Sequence, residues 1–254
     1  MQVKILGCSG GIGDSLRTTS ILIDEDILID AGTGVGDLTI DELLLIDHIF
    51  VTHSHLDHIV SIPFLMDTVM GLRTDPVTVH ATAETIKVLK EHIFNWKVWP
   101  DFNVIPNAEE AFLQYSEIKL GEVTTLGQRS ITAVPANHVV PAVGYHIDSG
   151  ESSLVFTGDT TTCDKLWQHV NAIENLKYLI IETAFSNGEI ELAKISKHLC
   201  PSLLFDELNK LTRAAEIYIT HLKPGEGEVI MQEIEQSKHE FKPKALQNQH
   251  VFQL

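Results

Sequence analysis

The stretch Thr52-His53-Ser54-His55-Leu56-Asp57-His58 sets three imidazoles and one carboxylate within six positions, directly after the apolar run Ile49-Phe50-Val51. Imidazole nitrogen and carboxylate oxygen are the donors that divalent cations such as zinc take. Four of them this close on one loop favour metal binding over a merely solvated turn. His53 and His55 are two apart, so an extended backbone points both rings the same way, while Asp57 and His58 fall on the following turn and can face a second point nearby. One loop can thus serve two ions.

Strands must position these side chains, and the apolar segments supply them. Ile49 to Val51 reads as the end of a buried strand, and Ile59, Ile62, Phe64 and Leu65 suit a helix packing back onto it. Four further apolar strands each lead into a residue able to ligate or catalyse: Ile131 to Pro135 into Asn137-His138, Leu154 to Phe156 into Thr157-Gly158-Asp159-Thr160, Tyr178 to Ile181 into Glu182, and Glu216 to Ile219 into Thr220-His221. Functional residues gathered at several strand ends are what a site on one edge of a layered sheet requires.

Nearer the amino terminus, Val3 to Leu6 reads as a strand followed by Gly7-Cys8-Ser9-Gly10-Gly11-Ile12-Gly13. That loop lacks the Lys-Ser/Thr ending of a nucleotide P-loop and reads as a tight turn. Ser20 to Ile23 and Ile27 to Ile29 form a hairpin with a charged tip. Asp30, just beyond it, is either structural or an acceptor for the second ring nitrogen of a metal-binding histidine. Asp41 to Leu45 suggests a short helix, Val77 to Ala81 a strand, and Thr82 to Glu91 a helix capped by Thr82. Cys163 to Ile173, Pro201 to Leu211 and Gly227 to Ser237 read as amphipathic helices, Lys238 to Lys244 as a charged surface stretch, and Val251-Phe252 as a last short strand. The segment His92 to Phe102 is unusually aromatic. Each ring taken alone reads as core filling, with a base-stacking wall as the functional alternative.

A chain of 254 residues with 44% hydrophobic content can bury a large core, and one domain over residues 1–254 is expected. No apolar run approaches the roughly 18 residues of a membrane helix, and the first residues enter a strand rather than a signal segment. A cytoplasmic protein with no membrane partner is expected. Cys8, Cys163 and Cys200 are odd in number, far apart and in no C-x-x-C spacing, which argues against disulfides and thiolate zinc sites. The formal charge of −17 opposes binding to long nucleic acids, whose phosphates need Lys and Arg, and is compatible with a small substrate held mainly by metal.

With His53, His55, Asp57, His58, His138, Asp159 and His221 in that order, the sequence resembles the metallo-β-lactamase superfamily over nearly its whole length. The resemblance implies an α/β fold, a four-layer αβ/βα sandwich of two mixed sheets with helices outside. It also implies one ion on His53, His55 and His138, another on Asp57, His58 and His221, and Asp159 between them. The best-known β-lactamases carry cysteine where this chain has Asp159, so antibiotic hydrolysis is not expected. A bridging carboxylate suits two ions about 3.5–4 Å apart, a spacing that stabilises the entering and leaving oxygens of phosphoryl transfer. Nitrogen and oxygen ligands without thiolate point to Zn²⁺, with Mn²⁺ or Fe²⁺ as alternatives.

Within the superfamily the chain resembles the class II cyclic-nucleotide phosphodiesterases. The likeness rests on His55-Leu56-Asp57-His58, His92-Ile93-Phe94-Asn95 with Trp99-Pro100, His138-Val139-Val140-Pro141-Ala142-Val143-Gly144, Phe156-Thr157-Gly158-Asp159-Thr160 and Ser196-Lys197-His198-Leu199. It departs from that family's signature at Ser61 to Asp67, where an aliphatic run ending in serine and a small residue or proline is replaced. The resemblance implies hydrolysis of a small-molecule 3′,5′-cyclic nucleotide, cyclic AMP or cyclic GMP, to the 5′-nucleotide. Asp57 would orient the attacking water, His198 would protonate the leaving oxygen, and Glu182 would orient His198. Without the resemblance, His198 reads as a helix-flanking surface histidine and Glu182 as a strand-end charge. The competing functions are an RNA 3′-processing nuclease, a thioester or lactone hydrolase, and a non-enzymatic, metal-stabilised nucleotide sensor. His146 reads as packing, and the oligomeric state is open, a homodimer included.

Overall fold

The computed structural model describes residues 1–254. Strands β1 (Gln2–Gly7), β2 (Ser20–Ile23), β3 (Ile27–Ile29), β4 (His48–Phe50), β5 (Val77–Ala81) and β6 (Leu113–Glu117) build a first sheet. A second sheet takes β7 (Val123–Leu126), β8 (Arg129–Pro135), β9 (Val143–Asp148), β10 (Ser153–Phe156), β11 (Leu176–Glu182), β12 (Glu216–Thr220) and β13 (Lys244–Ala245). The chain then returns as β14 (Val251–Gln253) to the edge of the first sheet, beside β1.

Both sheets carry the same pairing pattern. Their orders are β14-β1-β2-β3-β4-β5-β6 and β7-β8-β9-β10-β11-β12-β13. In each, three antiparallel pairings are followed by three parallel ones. Parallel neighbours need a crossover, and helices provide it here. Leu56–Ile59 and Ser61–Val69 lie between β4 and β5, and Pro201–Leu208 lies between β11 and β12.

Period-two alternation divides each strand between two cores. Ile21, Ile23, Ile27 and Ile29 meet Tyr145, Ile147, Leu154 and Phe156 of the other sheet, while Leu22 and Leu28 turn outward to Ile62, Leu65 and Met66. In the second sheet Val155, Leu179, Ile181 and Ile219 turn outward to Trp167, Leu204 and Ile230. Three apolar interfaces between four layers make the αβ/βα sandwich.

Some elements fall outside the sequence expectations. β7 alternates between exposed and half-buried residues and so carries little apolar signal. The helix Ile190–Ser196 buries only Ala193, which leaves almost no amphipathic pattern to read. The stretch expected to be charged surface ends in β13, where Lys244 and Ala245 pair with Tyr218 and Ile219. The aromatic segment divides: Phe94 and Phe102 are buried, whereas Trp96 is 64% exposed. No helix is long and apolar enough to cross a membrane.

Candidate metal centre

The loop after β4 is held at its base by the second sheet. Val51 O accepts a hydrogen bond from Tyr145 Oη (2.8 Å), and Thr52 O from Val143 N–H (3.0 Å). From the first sheet, fully buried Asp30 reaches the same loop. It accepts from Thr52 N–H and Thr52 Oγ1, each at 2.8 Å, and its Oδ2 lies 2.7 Å from His58 Nδ1. A carboxylate on Nδ1 fixes the ring and leaves Nε2 for a ligand. Asp30 therefore has the orienting place rather than a merely structural one.

The second sheet supplies its residues one strand at a time. His138 follows β8, Asp159 follows β10, Glu182 ends β11, and His221 follows β12. Gly158 turns the chain into Asp159 with φ +61°, and a Cβ there would stand 2.7 Å from Val143 O, so glycine is required. Lys197 O lies 3.1 Å from His138 Nδ1 and orients that ring.

All seven ligand candidates come together. His53, His55, His138 and Asp159 form one group and Asp57, His58 and His221 another, with the ligand atoms of each within 4.8 Å of one another. Asp159 faces both groups. Its Oδ2 is 3.7 Å from His53 Nε2, 4.0 Å from His138 Nε2 and 3.4 Å from His58 Nε2, and its Oδ1 is 3.3 Å from His221 Nδ1.

Burial pushes His53 well below the ordinary histidine value, His138 to about 4 and His221 to about 3, which favours neutral rings able to offer a lone pair to a cation. Burial alone would raise Asp159, but His221 and His58 beside it hold the carboxyl well below its usual range. Buried His53 Nε2, His58 Nε2 and His221 Nδ1 have no hydrogen-bond partner. Unpartnered buried nitrogens are costly. Burial also pulls His58 down, but the Asp159 and Asp30 carboxylates outweigh it and hold that ring well above the ordinary value. The first group therefore offers neutral imidazoles, and a cation at the second would take the place of a proton held between two carboxylates.

His198 is only 7% exposed, not a surface residue. Its Nδ1 lies 2.7 Å from Glu182 Oε1, and its ring packs 4.9 Å from that of His138 and 5.2 Å from that of His221. Glu182 also accepts from Thr160 N–H (3.0 Å) and Leu199 N–H (3.2 Å). Thr52, Lys197 and Lys223 also reach the site, although residue type and spacing alone assign them no role there. Lys223 Nζ stands 3.3 Å from His221 Nε2, and the only sequence signal for it is its place two residues after a ligand. His146 packs against His169, ring centroids 5.6 Å apart, and belongs to neither ligand group.

The family model described as Beta-lactamase superfamily domain matches residues 25–234. The chain belongs to that superfamily and is a hydrolase of the metallo-β-lactamase fold, which implies divalent metal ions. It is 27% identical to a probable 3′,5′-cyclic-nucleotide phosphodiesterase of Yersinia pestis, over 88% of this chain and 78% of that one. A ribonuclease Z of Haloarcula marismortui is 30% identical over 59% of this chain, and the match spans about half, 48%, of that relative. Among solved structures, unliganded yeast PDE1 superposes with a TM-score of 0.78 at 18% identity, covering 98% of each chain. That last likeness bears on the fold.

Proposed function

We propose that the protein hydrolyses the phosphodiester of 3′,5′-cyclic nucleotides, cyclic AMP or cyclic GMP, to 5′-nucleotides. The observation that carries this is the buried, carboxylate-held His198 packed between His138 and His221, one from each ligand group. Phosphodiester cleavage needs a proton for the departing alkoxide, and a fixed imidazole beside the reacting centre provides one. The relative from Yersinia pestis, similar over most of both chains, supports a cyclic nucleotide as the substrate.

Two divalent ions, with zinc the first expectation, would be held by His53, His55 and His138, by Asp57, His58 and His221, and by Asp159 between them. They would supply water activation and charge stabilisation at phosphorus. The remaining work falls to the chain. Asp57, with 28% of its side chain exposed, is the open carboxylate able to orient the attacking water. Glu182 fixes His198 through Nδ1, leaving Nε2–H for the leaving oxygen. Burial pulls the His198 pKa down, but the Glu182 carboxylate and its hydrogen bond outweigh that, with Asp159 adding to them, and the net shift is upward. The shift is toward the protonated ring that a general acid requires.

Hydrolysis of cyclic AMP in ¹⁸O-labelled water tests the proposal. Attack on phosphorus opposite the ribose 3′ oxygen puts the label on the phosphate of 5′-AMP. Formation of 3′-AMP would reverse the substrate's orientation, and label in the ribose would refute attack at phosphorus. No turnover with zinc, manganese or iron would pass the function to the other hydrolase readings. A second reading, RNA 3′-processing, is favoured by the ribonuclease Z relative and opposed by the net charge of −17. Tight binding of transfer RNA at low salt would revive it.

A further inference from the structure

The glycine-rich amino-terminal loop has no part in the chemistry above, yet it lies directly against the loop that follows His221. His221 N–H donates to Cys8 O (2.8 Å), and Gly10 N–H donates to Leu222 O (3.0 Å). The approach is close enough to exclude any larger residue. A Cβ on Gly10 would stand 2.7 Å from His221 O and 2.9 Å from Lys223 Cδ, and one on Gly11 would stand 2.7 Å from Pro224 Cγ.

Lys223 is what this contact holds. Its Nζ donates to Gly10 O (3.0 Å) and to His221 Nε2 (3.3 Å). The His221 ring in turn stacks on His198 at 5.2 Å and 16°. The half-buried ammonium therefore stands on the edge of the ligand cluster, on the side of the proton donor. An ammonium has three donors and no acceptor, and here two are engaged. Its partners are a carbonyl and a neutral ring rather than a carboxylate. Asp57 Oδ2 lies 3.8 Å from the same His221 Nε2 but makes no ion pair with the lysine, and in a chain with 35 acidic and 18 basic side chains a lysine beside the site with no direct ion pair is suited to an anion brought in by substrate.

We propose that Lys223 is an anion-holding residue of the site and takes a non-bridging oxygen of the substrate's phosphoryl group. His221 Nδ1, unpartnered and facing Asp159, is the nitrogen left for a ligand, so the bonds from Lys223 to His221 Nε2 and to the Gly10 carbonyl hold the ammonium in place with one N–H free. The glycine loop thereby gains a purpose: it sets where that charge stands. The nature of the anion rests on the phosphodiesterase proposal, whereas the position of the cation does not. A lysine that only ties two loops together would make the same two hydrogen bonds but would be indifferent to phosphate.

The test titrates inorganic phosphate by calorimetry into wild type, Lys223→Met and Lys223→Arg, each loaded with zinc to the same measured stoichiometry. Loss of a charge-assisted hydrogen bond predicts that Lys223→Met weakens phosphate binding by about tenfold or more, with Lys223→Arg recovering part of it. Equal affinity in wild type and Lys223→Met, or no phosphate binding to wild type, overturns the proposal. A measurement on wild type alone covers the case of a variant that misfolds or loses metal. With ¹⁵N-labelled lysine, the Lys223 Nζ resonance should move during the phosphate titration and saturate with the calorimetric affinity. Phosphate that binds without moving it also overturns the proposal. Because phosphate carries no nucleoside, failure of cyclic AMP hydrolysis leaves this test standing, and a silent Lys223 leaves the nucleotide assignment standing.

Discussion

The first sheet brings four donors to the site on a single loop, His53 to His58 after β4, whereas the second brings His138, Asp159, Glu182 and His221 one at a time from the ends of β8, β10, β11 and β12. The two sheets have the same pairing pattern, so topology is not the source of the difference. Ligands on one loop share a local backbone and keep their mutual geometry through small shifts of the sheet. The three ligands from the second sheet, His138, Asp159 and His221, meet only when β8, β10 and β12 are in register. The second half is thus where assembly of the site is tied to the fold, and Asp159, facing both groups, joins the halves.

The largest expected effect follows from that junction. Asp159→Ala withdraws the carboxylate that both groups face and leaves two cations without shared screening. Bound metal should fall from about two ions per chain toward none, with activity lost in parallel. Elemental analysis after remetallation is the check. Two ions retained in the variant would show that each half binds independently.

His198→Ala asks whether the second half supplies chemistry as well as ligands. Metal content should stay at the wild-type level while kcat falls by roughly 10²–10⁴-fold, the usual contribution of a general acid. The pH profile supplies the sign. Glu182 raises the His198 pKa, so its acid form, and the stability its protonation adds, are complete below the unfolded-state value and lost as pH rises through the folded one. Wild-type kcat/KM should therefore show a falling alkaline limb that His198→Ala lacks. An identical limb in both proteins would assign it to another group.

The same contrast governs how much could be read from the chain. The His53 to His58 loop is visible as a motif because its donors are adjacent, and the strand-end residues are visible only as a repeated coincidence of apolar run and polar tip. The αβ/βα layering follows from two-sided apolar strands such as Ile21 to Ile23, which need cover on both faces. What escaped are contacts with no compositional trace. β7 and the helix Ile190–Ser196 show too little burial to leave a periodic pattern. Lys223 is half-buried and bonded to a carbonyl, as many lysines are, and only the packing of Gly10 gives it a place. Gly7 to Gly13 reads as a turn from its composition, while the reason for Gly10 and Gly11 is a loop more than 200 residues away in sequence.

The orienting partners of the two halves sharpen the comparison at smaller scale. In the first half the partner is a side chain: Asp30 holds His58 Nδ1 at 2.7 Å. Asp30→Asn should weaken binding at the Asp57, His58 and His221 group by roughly 10–100-fold, the usual cost of losing such a partner, and the His53, His55 and His138 group by less, because Asp30 reaches His53 only through Thr52 Oγ1, 3.0 Å from His53 Nδ1. A competition titration with a chromophoric chelator resolves the two steps, and equal weakening of both would mean that Asp30 supports the whole loop rather than one ring.

In the second half the partner is a main-chain carbonyl, and the smallest effect is expected there. Lys197 O holds His138 Nδ1 at 3.1 Å, and no side-chain substitution at 197 removes it. The Lys197 side chain adds only partly exposed bonds to Asn137 Oδ1 (3.2 Å) and His138 O (3.0 Å). Lys197→Ala should therefore change metal affinity by no more than about twofold, in keeping with a side chain whose hydrogen bonds are only partly buried. The backbone at this position is left-handed, φ +54° at the end of the helix Ile190–Ser196, which a glycine adopts without strain. Lys197→Gly should accordingly retain the metal and melt no lower than Lys197→Ala. If Lys197→Ala instead lost an ion while Lys197→Gly kept it, the left-handed turn itself, rather than the ammonium, would be what delivers the carbonyl to His138. Loss of metal in both would make the lysine side chain part of the support.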